Sequence, residues 1–319
     1  MASRRGLEDS AVQARAQLLE LLDSWRPASV PFEAVAKHIG LTKMARSYLM
    51  AVSAATAYVV RKASFEWIAL ETVFYLFLLF LGAATLNNYQ DRDMDGRLQR
   101  TRGRPLPRGE IGPRSALFQA LMLIFAGTLG LFVVSGSIVL PMAGLVGVCF
   151  YNLIYTPMKR RTALAIVPGA VCGALPILMG WMAAGGELAA PEVWILVVIL
   201  GVWQLPHFWL VVLASREDYG ESGIPNMLRV LSVRQLDKLV FVWVTSFAVL
   251  TLLLPLYRVV LSEAAAWAFF ANALALTSVF AVLLFFQRRE HRYRDLFRYL
   301  SLSVAVVMSV IIVDGIAWR

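Results

Sequence analysis

The long apolar runs of this chain constrain its fold more strongly than any other feature. Five of them contain no charged side chain, namely residues 115–134, 138–155, 163–183, 239–256 and 264–286. A helix needs about 20 mostly apolar residues to cross a bilayer. A backbone inside a bilayer must satisfy its own hydrogen bonds, which leaves only helices and closed barrels. Because the runs are continuous rather than alternating, they exclude a membrane barrel.

The sequence therefore predicts an all-α, multi-pass transmembrane bundle of about nine helices. Composition agrees, since 59% of the residues are hydrophobic and 16% are charged, whereas about a quarter of the residues in soluble domains are charged. We expect a cytoplasmic N-terminal segment, 1–40, and a membrane domain, 41–319. The predicted spans are 45–60, 65–86, 115–134, 138–155, 163–183, 191–214, 239–256, 264–286 and 297–316.

The net charge of +9 would suggest a nucleic-acid partner in a soluble protein, but membrane topology explains it better. With the N-terminus in the cytoplasm, 26 of the 30 Lys and Arg residues fall in the N-terminal segment and in the loops on that side. This asymmetry follows the positive-inside rule. Nine spans then place the C-terminus outside, and we expect the lipid bilayer, and no nucleic acid, as a partner.

A polar segment follows the second predicted span. Asn87, Asp91 and Asp95 are spaced by four residues, which places their oxygen atoms along one face of a helix. Such oxygens are the ligands that Mg²⁺ prefers, often together with substrate phosphates. Asp93 faces the other way, and we expect it to pair with Arg97. The plainer alternative is a helix that becomes polar as it leaves the membrane, but carboxylates this close repel unless a cation accompanies them.

Cations surround the polar segment along the chain. Arginine binds phosphate oxygens with two parallel donors, so an arginine-rich loop beside a carboxylate–Mg²⁺ cluster predicts a site that holds a diphosphate from two sides. Lys159 and Arg160, after the fourth span, offer a second cationic edge. Positive-inside topology alone is the alternative explanation for these charges. The arginines of the loop, which Gly and Pro residues interrupt, are Arg100, Arg102, Arg104 and Arg108.

The sixth predicted span carries two polar side chains, Gln204 and His207, in an otherwise apolar stretch. Polar groups at membrane depth are candidates for function, although a lone histidine is often a packing residue. Pro206 should interrupt the helix and open room for a ligand. Asp218 and Tyr219 then return to the side of the aspartates. The flat apolar side chains that we expect around His207 are Trp203, Phe208 and Trp209.

Four blocks of the sequence resemble the UbiA superfamily of intramembrane prenyltransferases, and most closely its haem O synthase (protohaem IX farnesyltransferase) branch. The aspartate-rich and arginine-rich block together with PHFW is the most specific part of the resemblance, which covers about residues 40–317. The blocks are NNYQDRDMDGRLQRTRGRPLPRG (87–109), YTPMKRRT (155–162), GALPILMGW (173–181) and WQLPHFW (203–209) with REDYGESGIP (216–225).

The resemblance implies an Mg²⁺-dependent enzyme that transfers a farnesyl group from farnesyl diphosphate to the vinyl group of haem b, giving haem O for terminal oxidase assembly. It also implies nine helices around a central cavity, a bacterial cytoplasmic (inner) membrane, and a downstream haem-modifying or oxidase-assembly membrane protein as a candidate partner. It assigns Asn87, Asp91 and Asp95 to the metal. Its substrate-binding positions are Arg100, Arg104, Lys159, Arg160, Gln204, Trp209, Asp218 and Tyr219.

Two alternatives to haem farnesylation stay open at this point. Prenylation of another acceptor, such as an aromatic precursor of a quinone, would favour a second aspartate-rich repeat near helix six, where this chain has PHFW and a single Asp218 after Glu217. A transporter would favour broken helices and inverted repeats. Asp91, Asp95 and His207 are the predicted catalytic residues. We expect His207 to serve the haem, because neutral imidazole binds iron and is a poor anchor for a diphosphate.

Overall fold

The structure is a computed structural model, and it describes residues 30–64, 66–287 and 291–318. Most of the predicted N-terminal segment, 1–40, lies outside these residues. The chain divides into two compact units, 1–39 and 40–319. In the first unit the described residues belong to a helix that runs Val30–Leu41.

Nine longer helices form most of the described part of the second unit, a short helix, Arg216–Glu221, follows the sixth of them, and no strand occurs among the described residues. A π-helix, Phe150–Tyr155, and one α-helical turn, Thr156–Met158, continue the fourth helix; a second π-helix, Val282–Phe286, continues the eighth. The nine are α1 Met44–Lys62, α2 Trp67–Asp95, α3 Pro113–Ser135, α4 Val139–Cys149, α5 Ile166–Ala183, α6 Pro191–Ala214, α7 Val233–Thr251, α8 Glu263–Ala281 and α9 Arg292–Trp318.

Each predicted span coincides with one of these helices, and the all-helical fold class is confirmed. Of these nine described helices, seven are long and apolar enough to cross a membrane; α1 and α7 do not meet that criterion. The predicted end of α7 at residue 256 is wrong, because the helix stops at Thr251 and turns follow. Pro255 explains the difference, since proline lacks the N–H that would bond to Thr251 and disfavours a helical residue before it.

The helices pack into a closed bundle. Helix α1 contacts α2, α5 and α9, while α6 contacts α5, α7 and α9. The largest apolar core lies among α6 to α9. Large apolar side chains such as Phe118, Phe125 and Trp267 are exposed on the outside, as expected where lipid replaces water. The chain is an integral membrane protein.

Alternating helix directions bring functional segments to one end of the bundle. The ends of α2, α4 and α6 meet the beginnings of α1, α5 and α7 there. Helix α2 continues nine residues beyond its predicted end at residue 86, to Asp95, so the polar motif lies on a helix. The π-helix in α4 is of a kind often found at functional sites.

Glycine allows helices α1 and α5 to approach closely. A Cβ atom built on Gly180 would lie 1.9 Å from the carbonyl oxygen of Ala54 in α1. By contrast, a Cβ atom on Gly201 in α6 would have no neighbour within 4 Å. Small residues are common where membrane helices pack backbone to backbone.

We expect Gly180→Ala to lower the melting temperature by several degrees, since α1 and α5 must separate to admit the methyl group. Gly201→Ala is the matched control, and it should leave stability unchanged or raise it by up to about 1 kcal/mol, because alanine favours a helix over glycine. Thermal unfolding of both detergent-purified variants measures this. Equal melting temperatures would contradict the close approach of the two helices.

Candidate functional site

The three oxygen-bearing residues of the α2 motif are buried on one face. Asn87, Asp91 and Asp95 are 1%, 2% and 5% exposed, whereas the side chain of Asp93 is 71% exposed. The four-residue spacing therefore separates inward from outward carboxylates, as expected. The predicted pair between Asp93 and Arg97 is wrong: the cation near Asp93 is its neighbour Arg92, at 3.7 Å.

Cations from other segments neutralise the buried carboxylates. Lys159, after α4, forms an ion pair with Asp91, and Arg160 lies 3.8 Å from the same carboxylate. Arg104, in the loop after α2, donates to Asp95 at 2.5 Å. The predicted cationic edges thus both reach the aspartates. Arg100 does not, and its position is described below.

Lys43 is a site residue that the sequence analysis did not single out. It precedes α1 with a left-handed backbone (φ 50°), and its Nζ atom donates to Asn87 at 2.5 Å. Burial lowers the pKa of Lys43 well below its usual value, and nearby cations, Arg46 first, lower it further. Burial also lowers the pKa of Lys159, although Asp91 opposes the shift. These cations therefore repel one another, and an added anion would relieve that repulsion.

Amide and hydroxyl side chains hold the motif in place. Asn87 donates to the hydroxyl of Thr156 at 2.8 Å, and Asn88 donates to the carbonyl of Leu41 at 2.6 Å. Gln90 and Asn152 exchange hydrogen bonds through side chain and backbone, at 2.9 and 3.0 Å. Buried polar groups joined in this way restrict their side chains to one arrangement. Asn152 and Thr156 are four residues apart, and this spacing is the signal that could have identified them.

Asp218 anchors the arginine loop by its backbone. Its two carboxylate oxygens accept from the backbone N–H groups of Gln99 and Arg100, at 2.7 and 3.1 Å. The loop therefore turns Arg104 toward Asp95 while its other end is tied to the segment after α6. For Tyr219 the structure gives a backbone contact, from the hydroxyl of Ser222 to its carbonyl at 3.2 Å. Substrate-binding roles for Asp218 and Tyr219 stay predictions.

The motif offers oxygen ligands that suit Mg²⁺. One carboxylate oxygen of Asp91, Oδ1, is buried and has no hydrogen-bond partner. The described residues contain no cluster of three or more His, Cys, Asp or Glu side chains that could hold a metal. Two carboxylates and an amide nevertheless fit Mg²⁺, which is commonly bound by one or two carboxylates, waters and substrate phosphates.

His207 lies between aromatic rings in the bundle. Its ring centroid is 4.6 Å from that of Trp203, 4.7 Å from that of Phe297 in α9, and 5.9 Å from that of Phe208, which is oriented edge-on. Trp203 is fully buried and donates to the carbonyl of Leu300 at 3.0 Å. The Nδ1 atom of His207 is buried without a hydrogen-bond partner. The ring contacts of His207 agree with a packing role, whereas its unpaired Nδ1 atom leaves a polar group available to a ligand.

Two expectations about helix α6 are wrong. Trp209 does not surround His207, because two residues along a helix correspond to about 200° of rotation, and its ring packs edge-on against Trp243 at 6.3 Å. Pro206 does not open the helix, which is continuous from Pro191 to Ala214. Gln204 packs over Gly173 of α5, where a Cβ atom would lie 1.9 Å from its Nε2 atom.

Comparison with known proteins gives consistent matches. The profile of the UbiA prenyltransferase family matches residues 48–303. A protoheme IX farnesyltransferase from Geobacter sulfurreducens is 38% identical over 201 residues, covering 63% of this chain and 73% of its own length. Another protoheme IX farnesyltransferase, from Nitratidesulfovibrio vulgaris strain DP4, is 32% identical over 241 residues, covering 76% and 82%.

Solved structures share the fold. A UbiA homologue from Aeropyrum pernix K1 superposes with a TM-score of 0.67 at 19% identity, covering 84% of this chain and 97% of that one. A UbiA homologue from Archaeoglobus fulgidus, solved with DMAPP and Mg²⁺, gives a TM-score of 0.63 at 14% identity and covers 89% and 100%. At these identities the likeness establishes the helical architecture.

The contact between Asp218 and the loop predicts protection from proteolysis. Asp218→Ala removes both acceptors, so trypsin should cleave after Arg97, Arg100 or Arg102 about tenfold faster, as expected for losing charge-assisted hydrogen bonds. Glu217→Ala is the control, since Glu217 is an exposed neighbour of the same charge. Cleavage can be followed by mass spectrometry, and equal rates in the two variants would contradict the anchoring role.

Proposed function

The chain belongs to the UbiA prenyltransferase family, and from this premise we propose that it transfers the farnesyl group of farnesyl diphosphate to the vinyl group of protohaem IX, giving haem O. The names of its relatives support this choice of substrates. The observation that carries it is the buried cluster at the end of α2. There two carboxylates and an amide face Lys43, Arg104 and Lys159, an arrangement that suits a diphosphate and a divalent cation.

Cations at this site act on the leaving group. As the bond between the allylic carbon and oxygen breaks, the diphosphate keeps the electron pair, and Lys159, Arg104 and Arg160 donate to its oxygens. Groups aimed at charge that develops in the transition state stabilise it strongly in a site without water. Mg²⁺, held by Asn87, Asp91 and Asp95, would supply further positive charge to the phosphate oxygens.

Carbon–carbon bond formation completes the proposed reaction. The vinyl group attacks the allylic carbon, and water captures the resulting cation with loss of a proton, which leaves a hydroxyl group. Farnesyl diphosphate and haem b are thus the substrates. Their large apolar parts suit delivery from the bilayer, so a downstream haem-modifying or oxidase-assembly membrane protein is a fitting partner. The charge asymmetry supports an orientation with the N-terminus inside and the C-terminus outside, and the bacterial relatives support a bacterial inner membrane location.

The activity has a direct test. Purified protein incubated with haem b, farnesyl diphosphate and Mg²⁺ should yield a product whose mass equals haem b plus a farnesyl group and a hydroxyl group. Asp91→Asn and Asp95→Asn should each lower turnover about a hundredfold or more, the loss typical of a transition-state contact. Asp93→Asn, on the exposed face, should stay within about twofold.

Two results would contradict the proposal. Transfer to an aromatic quinone precursor with none to haem b would overturn the acceptor, and full turnover in Asp91→Asn would overturn the metal site. Because Asp91→Asn leaves the buried cation of Lys159 unpaired, which destabilises folded proteins, Asp91→Asn/Lys159→Met should be measured as well. That double variant removes both charges and separates loss of folding from loss of chemistry.

His207 gives a second, independent prediction. His207→Phe keeps an aromatic ring between Trp203 and Phe297 but removes the nitrogen atoms, while His207→Ala removes the ring. If the imidazole serves the haem, both variants should bind haem b about tenfold more weakly in a Soret-band titration, with the KM for farnesyl diphosphate unchanged. Normal haem affinity in His207→Phe would assign the histidine to packing alone.

A further inference from the structure

A large cavity opens at the same end of the bundle, beside the aspartate site. Its volume is about 1450 Å³, and neither Asp91 nor Asp95 lines it. The walls come from the end of α6, the beginnings of α7 and α9, the π-helix after α8, Arg46 of α1, and Gln99 with Arg100 of the arginine loop. Nothing in the function proposed above assigns a role to this space.

The rim of the cavity is strongly basic. Among the described residues, eight Arg and Lys side chains line it, against three Asp and Glu side chains. Arg234 and Lys238 stand four residues apart on α7, and Arg294 and Arg298 do so on α9, so each helix directs a pair of cations from one face. Arg298 pairs with Asp295 at 3.3 Å. Among the described residues, no carboxylate forms an ion pair with Arg234, Lys238 or Arg294.

A buried ion pair holds the two basic helices together. Arg292 donates to Asp237 at 2.9 Å and to the hydroxyl of Tyr293 at 2.6 Å, and that hydroxyl donates to Asp237 at 3.1 Å. This network ties the first turn of α9 to α7. The cations of the rim are therefore carried on a rigid frame, which suits recognition of a ligand with two separated anionic groups.

Part of the cavity lining is apolar, and we refer to this part as the floor. It includes Leu210 and Leu213 of α6, Leu284 and Phe285 after α8, and Phe297 of α9. The ring of Phe297 also packs against that of His207, with 4.7 Å between their centroids. A basic rim above an aromatic and aliphatic floor fits an amphiphile with a broad apolar body and acidic groups at one edge.

The arginine loop connects the cavity to the aspartate site. Arg104 of the loop contacts Asp95, while Arg100 lines the cavity, and Asp218 binds the backbone between Gln99 and Arg100. A molecule in the cavity would therefore lie across one short loop from a diphosphate at Asp91 and Asp95. An acceptor of a prenyl group must bind close to the diphosphate substrate, because the two carbon atoms that react must come into contact.

We propose that this cavity is the acceptor site, where Arg234, Lys238 and Arg294 bind the two propionates of protohaem and the porphyrin lies on the apolar floor. The proposal rests on the proposed function for the identity of the acceptor. Two carboxylates at one edge match cation pairs on two helices, and the vinyl groups lie on other edges of the macrocycle. The cationic rim then orients the porphyrin with its apolar part toward the bundle.

The test uses haem b and its dimethyl ester, in which both propionates are neutral. In the full-length protein, Arg234→Gln/Lys238→Gln should raise the KM for haem b about tenfold, the effect of losing a charge-assisted contact, and leave the KM for farnesyl diphosphate unchanged. The KM of the wild type for the ester should be about as high as the KM of the variant for haem b. The variant and the wild type should have equal KM values for the ester. Arg114→Gln, an exposed cation outside the cavity, is the matched control.

Each other outcome overturns the proposal. An unchanged KM for haem b in the variant would remove the propionate contacts. Equal losses with haem b and the ester would show that the cations serve another anion, such as an acidic phospholipid headgroup. If the wild type makes no haem O, the proposed function fails. Direct binding titrations with haem b and its ester then still test the cavity. The wild type must bind haem b more tightly than the ester, and the variant must bind the two equally.

Discussion

The pairing of buried carboxylates with cations at the end of α2 is the interaction on which the arrangement of this end of the bundle depends. A carboxylate taken out of water costs several kcal/mol unless a partner compensates it. Asp91 and Asp95 are nearly inaccessible, so Lys159 and Arg104 must come to them from different loops. The pairs thereby determine where the segment after α4 and the arginine loop run.

This arrangement also explains why the cluster is suited to an incoming ligand. A closed set of neutral partners would resist substitution, but here Lys43 and Lys159 repel each other and burial disfavours their charge. A diphosphate would give those cations a more highly charged anion to bind. When the cations leave their ion pairs with the aspartates, the carboxylates become free to bind a metal. Binding of diphosphate and binding of Mg²⁺ should therefore strengthen each other reciprocally.

Much of the fold could be predicted from the sequence because the bilayer leaves few alternatives. Continuous apolar runs predict helices, and each of the nine predicted spans corresponds to a helix in the structure. Boundaries were weaker where polar residues continue a helix, as at Asp95, or where proline ends one, as at Pro255. Neither boundary depends on hydropathy, so a window of apolar residues does not detect it.

The residues of the candidate site likewise fall into those that a local sequence pattern predicts and those that it does not. Spacing by four identified the inward face of α2, because helical geometry alone decides which side chains share a face. Lys43 and the anchoring role of Asp218 depend on tertiary contacts between segments 44 and more than 100 residues apart, and no local pattern encodes them. Trp209 was misplaced because proximity along the chain was taken for proximity in space, although i+2 points to the opposite side of a helix.

The loop between α2 and α3 then has a physical role beyond carrying charge. Its backbone is tied to Asp218 after α6, one of its arginines faces the aspartates, and another faces the basic cavity. Moving the loop would change both faces together, since Gln99 and Arg104 are separated by only a few turn residues. Two substrates that bind on opposite sides of one anchored loop share its ordering cost, so the first to bind prepares the loop for the second. The loop that supplies Arg104 to neutralise Asp95 in the free protein is therefore also the segment that lies between the proposed binding sites of the two substrates.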